Sequence, residues 1–126
     1  MKNWIKITAI VFALFVSATS FAQNPGFHDV QVAEFEKLTN AGKGTTLDVR
    51  TPKEYVEGHL KGSINMNYFD KDFKDQLGKL DKAKPVYVYC HSGGRSSKAM
   101  SIMKSQGFTA VYNLTGGYAG WKNLHE

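Results

Sequence analysis

The 126-residue chain carries a formal charge of +5, from 16 Lys+Arg against 11 Asp+Glu, with 42% hydrophobic residues, 13% aromatics and one cysteine. That length excludes a multidomain protein, since one compact domain usually takes about 100 to 150 residues, and a lone cysteine excludes a disulfide-stapled miniprotein. The composition is that of a globular chain able to bury a core, which argues against disorder, and the basic excess hints at an anionic partner.

The chain opens on a targeting pattern. Lys2 and Lys6 form a basic n-region, Ile7 to Val16 is apolar apart from Thr8, and Ser20-Phe21-Ala22 places small residues at the two positions a signal peptidase inspects. The expectation is a signal peptide over residues 1–22, cleaved after Ala22, a folded domain over 23–126, and a periplasmic or secreted location. The apolar stretch is about half of the roughly 20 residues a membrane span needs, so no stable membrane anchor is expected. Lys2 and Lys6 leave with the peptide, so 14 basic residues then face 11 acidic ones and the charge falls to +3. Those lysines are scattered among carboxylates rather than clustered with aromatics, which speaks against nucleic-acid binding.

Along the remaining chain, Ala33, Phe35 and Leu38 among Glu34, Glu36 and Lys37 predict a short helix stopped at Asn40-Ala41-Gly42. Thr45 to Val49 reads as a brief strand. Thr51-Pro52-Lys53-Glu54 carries a helix start, with Thr51 as cap, Pro52 in the first turn and Glu54 completing a capping box; Gly58 stops that helix. Ser63 to Met66 is a short strand candidate, and Asp70 to Leu80 an amphipathic segment with Phe73, Leu77 and Leu80 on one side. After Pro85, the run Val86-Tyr87-Val88-Tyr89 is the clearest strand in the chain and leads directly into Cys90. Ser96 to Gln106 predicts a helix with Ala99, Met100, Ile102 and Met103 on its apolar face, ended by Gly107. Ala110 to Tyr112 is a last strand, and Gly117 to Leu124 a last helix. Alternating strands and helices imply βαβ units, that is, an α/β fold with a mainly parallel sheet and helices on both faces.

In such a sheet, ligands bind outside the carboxyl ends of the strands. Cys90-His91-Ser92-Gly93-Gly94-Arg95-Ser96 occupies that place after the clearest strand. Gly93 and Gly94 let the backbone curl so that successive N–H groups point inward, and the helix beginning near Ser96 adds its N-terminal dipole. The nearest anion is the cysteine's own sulfur. A free thiol of pKa about 8.5 is only roughly 3% ionised at pH 7, whereas one lowered to about 6.5 is roughly three-quarters ionised. Cys90 is therefore the candidate nucleophile.

His91 can orient a substrate, bias the thiolate or point to solvent, and Ser92 and Ser96 are expected as helix caps that can also touch substrate. Only Arg50 and Arg95 are arginines. Arg95 sits where a planar fork can grip an oxyanion such as a sulfonate. Arg50 is expected to be structural, paired with Glu54 or another carboxylate, and Asp48 either bonds the active loop or its arginine or serves a plain turn. His28, His59, His91 and His125 show no ligand spacing with carboxylates or the cysteine, so neither a metal nor another cofactor is expected.

These residues resemble the single-domain rhodanese-like sulfurtransferases in three blocks. Leu47-Asp48-Val49-Arg50-Thr51-Pro52-Lys53-Glu54-Tyr55-Val56-Glu57-Gly58-His59-Leu60-Lys61-Gly62-Ser63-Ile64-Asn65 is similar to the family's N-terminal signature. Tyr89 to Ser96 is similar to its active-site loop, and Leu114-Thr115-Gly116-Gly117-Tyr118-Ala119-Gly120-Trp121 to its C-terminal signature. The resemblance implies a central five-stranded parallel sheet and a persulfide carried on Cys90. It implies a small-molecule sulfur donor such as thiosulfate and a thiol or cyanide as acceptor, with an exported protein as a further candidate acceptor. His59 and Trp121 lie in the signature blocks and are read as fold elements.

Two rivals remain open. One is a rhodanese-fold carrier or sensing module without turnover of its own. The other is a cysteine phosphatase or arsenate reductase, whose loop puts five residues between cysteine and arginine, where this chain has four.

Overall fold

A computed structural model describes residues 25–126, so the targeting pattern over 1–22 lies outside the described residues. Among the described residues, five strands form one sheet: β1 (Gly26–Val30), β2 (Thr45–Asp48), β3 (Ile64–Asn65), β4 (Val86–Tyr89) and β5 (Ala110–Leu114). The helices between and after them are α1 (Val32–Asn40), α2 (Pro52–Glu57), α3 (Phe73–Gly78), α4 (Gly94–Ser105) and α5 (Gly117–His125). Strand order is β1-β5-β4-β2-β3, and every pairing is parallel.

The central strands explain why the pattern was readable. All residues of β4 and β5 are buried, because helices cover both faces of a parallel sheet and no strand face meets water. Side chains alternate along β4. Val86, Val88 and then Cys90 enter one core with Phe73 and Leu77 of α3 and Ala99 and Met103 of α4. Tyr87 and Tyr89 enter the other, with Val32 and Phe35 of α1 and, packed against them, Tyr118 and Trp121 of α5. Helices therefore lie on both faces, and Cys90 sits at the carboxyl end of the central strand. None of the described helices is long and apolar enough to cross a membrane.

Local chemistry sets the element ends. The capping box of α2 is formed in both directions: the Glu54 amide donates to Thr51 Oγ1 at 3.3 Å, and the Thr51 amide to Glu54 Oε1 at 3.3 Å. α3 is shorter than the amphipathic pattern predicts. Asn67 Oδ1 accepts the Phe69 amide and Asn67 Nδ2 donates to Asp70, so residues 67–72 close into turns and the helix starts only at Phe73. β3 likewise shrinks to two residues. The Asn65 side chain takes over beyond it, donating to the Asp48 carbonyl at 3.1 Å and the Arg50 carbonyl at 2.9 Å. α4 begins at Gly94, two residues before the expected Ser96.

β1 had no counterpart in the sequence reading. Gly26-Phe27-His28-Asp29-Val30 contains a single β-branched residue, and only Val30 is buried. Its strand geometry comes from pairing along β5 at the sheet edge, from Gly26 opposite Ala110 to Val30 opposite Leu114.

The packing predicts that Leu77→Ala, at a side chain with no exposure, lowers unfolding free energy by about 2–5 kcal/mol. Val56→Ala, at a side chain 81% exposed, should stay within about 0.5 kcal/mol of the parent. Urea denaturation monitored by circular dichroism distinguishes the two, and equal midpoints would refute this placement of the core.

Candidate active site

Cys90 follows the last residue of β4 and is 1% exposed. From there the chain turns through His91 and Ser92 to Gly93, whose φ of 109° lies in the region that favours glycine, and enters α4. The turn aims donors at the sulfur. The Gly93 amide reaches Cys90 Sγ at 3.0 Å, and the Ser96 hydroxyl, fully buried in the first turn of α4, reaches it at 3.3 Å. The same hydroxyl lies 3.2 Å from the Gly93 carbonyl, so its single proton has two acceptors within reach. Burial pushes the Cys90 thiol up. The Ser96 hydroxyl and the amides of Ser96, Gly93 and Ser92 more than offset that, and the net direction is down from the ordinary thiol value.

The far side of the turn is held by α5. The Tyr118 amide donates to the Cys90 carbonyl at 2.8 Å, and the Ala119 amide to the His91 carbonyl at 3.0 Å. These donors belong to the first turn of α5, where amides have no partner within their own helix. The approach is so close that a Cβ on Gly117 would stand 2.5 Å from the His91 oxygen and 2.6 Å from the Cys90 oxygen. Gly116 and Gly117, at φ 78° and 61°, make the bend that brings α5 in.

The two arginines are used differently. Arg50 is buried and binds Asp48 through Nε and Nη2, the latter at 2.7 Å, and gives Nη2 also to the Gly58 carbonyl at 2.7 Å. Its guanidinium carbon lies 4.3 Å from the centre of the Tyr118 ring. Arg95 faces the opening. It makes a two-pronged contact with Glu54, Nη1 to Oε1 at 2.8 Å and Nη2 to Oε2 at 3.0 Å, and lies 5.6 Å from the centre of the exposed Phe69 ring. Arg95 in turn holds the Glu54 carboxyl down at about 2, against the opposing effect of burial and with help from Thr51. A cleft of about 550 Å³ opens here, lined by Arg50, Glu54, Glu57, His91, Arg95 and Tyr118 among others.

Measured against the sequence reading, the structure brings Cys90, Gly93 and Ser96 together, and His91 and Arg95 to the cleft. One expectation changes, and two that were open are decided. Ser92 and Ser96 do not cap α4: Gly93 holds the cap position without a side-chain bond, Ser92 is exposed, and Ser96 is aimed at the sulfur. Arg50 is structural as expected, and of the carboxylates open to it the partner is Asp48, since Glu54 is taken by Arg95. Asp48 serves Arg50, accepting its backbone amide at 2.8 Å as well as its guanidinium, and does not reach the active loop. His59 stacks on Tyr55 at 3.7 Å, and Trp121 stacks on Tyr118 and donates to Glu36, which are packing roles as expected.

Two contributors had not been singled out. Glu54 has only local roles in the sequence, in a capping box or beside Arg50, which hides a partner 41 residues away. The Tyr118 and Ala119 amides leave no mark on side-chain chemistry. Their only sequence signal is the adjacent pair Gly116-Gly117.

Comparison with known proteins gives the same fold. The thiosulfate sulfurtransferase 16, chloroplastic, of Arabidopsis thaliana is 39% identical over 85 residues, 60% of this chain and 71% of that protein. The thiosulfate sulfurtransferase GlpE of Shewanella oneidensis is 30% identical over 95 residues, 75% of this chain and 92% of the relative. A tRNA uridine(34) hydroxylase of Pelagibacter ubique is 33% identical across 99% of this chain, which spans only 42% of that longer protein. The solution structure of a rhodanese-like domain from Anabaena superposes with a TM-score of 0.67 at 30% identity, covering 76% of this chain and 74% of that one. Residues 31–124, which run from the start of α1 almost to the end of α5, match the profile of the rhodanese-like domain, and the chain belongs to that family.

Proposed function

We propose that the protein is a sulfurtransferase that takes sulfane sulfur from thiosulfate or a similar donor onto Cys90 and passes it to cyanide or a thiol. The Cys90 thiolate attacks the outer sulfur of thiosulfate, a new S–S bond forms as the old one breaks, and sulfite leaves with the bonding pair. The enzyme-bound persulfide keeps the negative charge. An acceptor thiolate or cyanide then attacks the terminal sulfur and releases the Cys90 thiolate.

One observation carries this reading: a buried sulfur meets inward-facing donors, the Gly93 amide at 3.0 Å and the Ser96 hydroxyl at 3.3 Å, that lower its pKa despite its burial. Fixed donors around a developing anion need no rearrangement during the reaction, and so they lower its barrier. In this scheme His91 and Ser92 stand at the rim where donor and acceptor enter, Gly93 and Gly94 supply the curl, and Arg95 grips the donor's sulfonate. Asp48 and Arg50 hold the strand end beside the loop. The names of the relatives from Arabidopsis and Shewanella support the same chemistry.

Incubation with thiosulfate followed by intact mass spectrometry should show a gain of one sulfur atom, removed by a reducing thiol and missing in Cys90→Ser. A protein with an intact Cys90 thiol and no adduct would refute the transfer.

Ser96→Ala removes a hydrogen bond to a charged sulfur, a contact worth about 1.5–3 kcal/mol, and should raise the thiol pKa, because the thiolate loses a donor while its burial remains. Below the pKa the thiol is protonated and unreactive, so the pH profile of iodoacetamide alkylation should move to higher pH. An unmoved profile would remove Ser96 from that role.

We also propose that the chain is exported and loses residues 1–22, the basic and apolar pattern at its start being the support. N-terminal sequencing of protein recovered from the periplasm or medium should begin at Gln23, and a mature form that retains Met1 or Lys2 would overturn it.

A further inference from the structure

The named cations of the cleft all have a carboxylate in contact. Arg50 meets Asp48 at 2.7 Å, Arg95 meets Glu54 at 2.8 Å, and Lys122 meets Glu126 at 3.3 Å. Glu57 lines the same cleft and adds a further negative charge. The cleft beside the Cys90 loop thus offers no net positive charge, although thiosulfate is a dianion that must approach a thiolate. Neither Arg50, buried on Asp48, nor Lys122, at the outer end of α5, offers the donor a fork at the loop. That leaves Arg95, and its fork already holds Glu54 by two prongs, the same two-oxygen grip that it would make on a sulfonate.

We infer that Glu54 is an internal competitor for the anionic donor, a positioning residue that occupies Arg95 and thereby sets the cleft's preference for sulfur donors of low negative charge. The inference rests on the sulfurtransfer reading above and adds to it a residue that decides between donors. Three features make the contact exchangeable. The pair is partly open to water, with side-chain exposures of 20% for Arg95 and 28% for Glu54. Glu54 has other partners to return to, since Thr51 donates to its Oε1 through both amide and hydroxyl. Arg95 is held at the mouth by Phe69 as well, so that releasing the carboxylate does not release the arginine.

Glu54→Gln separates this role from the capping box. Glutamine also closes a capping box, and it removes the charge. The Arg95 charge freed in this way, facing a dianion at about 8 Å in near-aqueous surroundings, corresponds to about a fivefold change in affinity. A monoanion feels half that energy, hence a change of about twofold.

The test measures steady-state sulfur transfer from thiosulfate and from benzenethiosulfonate, a donor with one negative charge that releases a sulfinate in place of sulfite. Glu54→Gln should lower KM for thiosulfate about fivefold and for the monoanion about twofold, with kcat held within about twofold. In an Arg95→Gln background the substitution should lose most of that effect. The inference is overturned if KM for thiosulfate is unchanged or rises, if both donors shift equally, or if the full effect persists without Arg95. Wild-type protein that takes sulfur from neither donor, by intact mass, would sink the sulfurtransfer reading and this inference together; sulfur loading with unmoved KM values would sink this inference alone.

Discussion

A peptide unit points its N–H and its C=O to opposite sides. A loop that turns its amides toward a sulfur must therefore turn its carbonyls away from it, and carbonyls tucked against protein need donors of their own. In this fold the donors are the Tyr118 and Ala119 amides of α5, bound to the Cys90 and His91 oxygens. The geometry around Cys90 is thus held from the opposite end of the domain, by the last helix. That contact in turn requires a residue without a Cβ at position 117, since any side chain there would stand inside the radius of two carbonyl oxygens. It also requires α5 to be seated firmly, which Tyr118 and Trp121 achieve by packing against the core of Phe35, Tyr87 and Tyr89.

Tyr118 links that clamp to the buried charge pair. Its ring lies under the Arg50 guanidinium, which spans from Asp48 at the end of β2 to the Gly58 carbonyl after α2. Asp48 and Arg50 are 0% and 3% exposed, and removing either partner of such a pair costs about 3–5 kcal/mol because the other is left charged and dry. The Arg95–Glu54 pair shares the chemistry but not the burial, and pairs open to water are worth only about 0–1 kcal/mol. That difference in magnitude divides the labour: Arg50 is a fixed part of the scaffold, while Arg95 can exchange its carboxylate for a ligand at small cost.

What could be read in the sequence follows from how local the cause is. Val86 to Tyr89 was legible as a strand because a parallel strand buried on both faces is apolar throughout, and α2 because its capping box lies within four residues. β1 was not, since its conformation is imposed by β5, 84 residues later in the case of Asp29 and Asn113, whose side chains meet at 2.9 Å. The loop was recognisable as a sulfur-centred nest from Cys90, Gly93, Gly94 and the helix that follows. Ser96 was misread because a serine near a helix start is most often a cap, and only the left-handed turn at Gly93 moves the cap upstream and frees the hydroxyl for the sulfur. The partner of Arg50 stayed open for a related reason: Arg50 and Glu54 sit one helical turn apart in sequence, yet the buried Asp48, two residues away, and the distant Arg95 divide them.

The nest has a further consequence for the proposed transfer. Adding one sulfur moves the negative charge off Sγ by an S–S bond of about 2.05 Å. Donors suited only to the thiolate would hold it too well and oppose the step. Here the amides lowering the thiol pKa come from Ser92, Gly93 and Ser96, residues that bracket the turn rather than a single point. The donors are thus spread along the turn, and the Ser96 proton has a second acceptor in the Gly93 carbonyl 3.2 Å away when the charge leaves Sγ. The proposed transfer asks for that spread, since it passes through two anions in succession, where a simple thiolate trap would need donors for one.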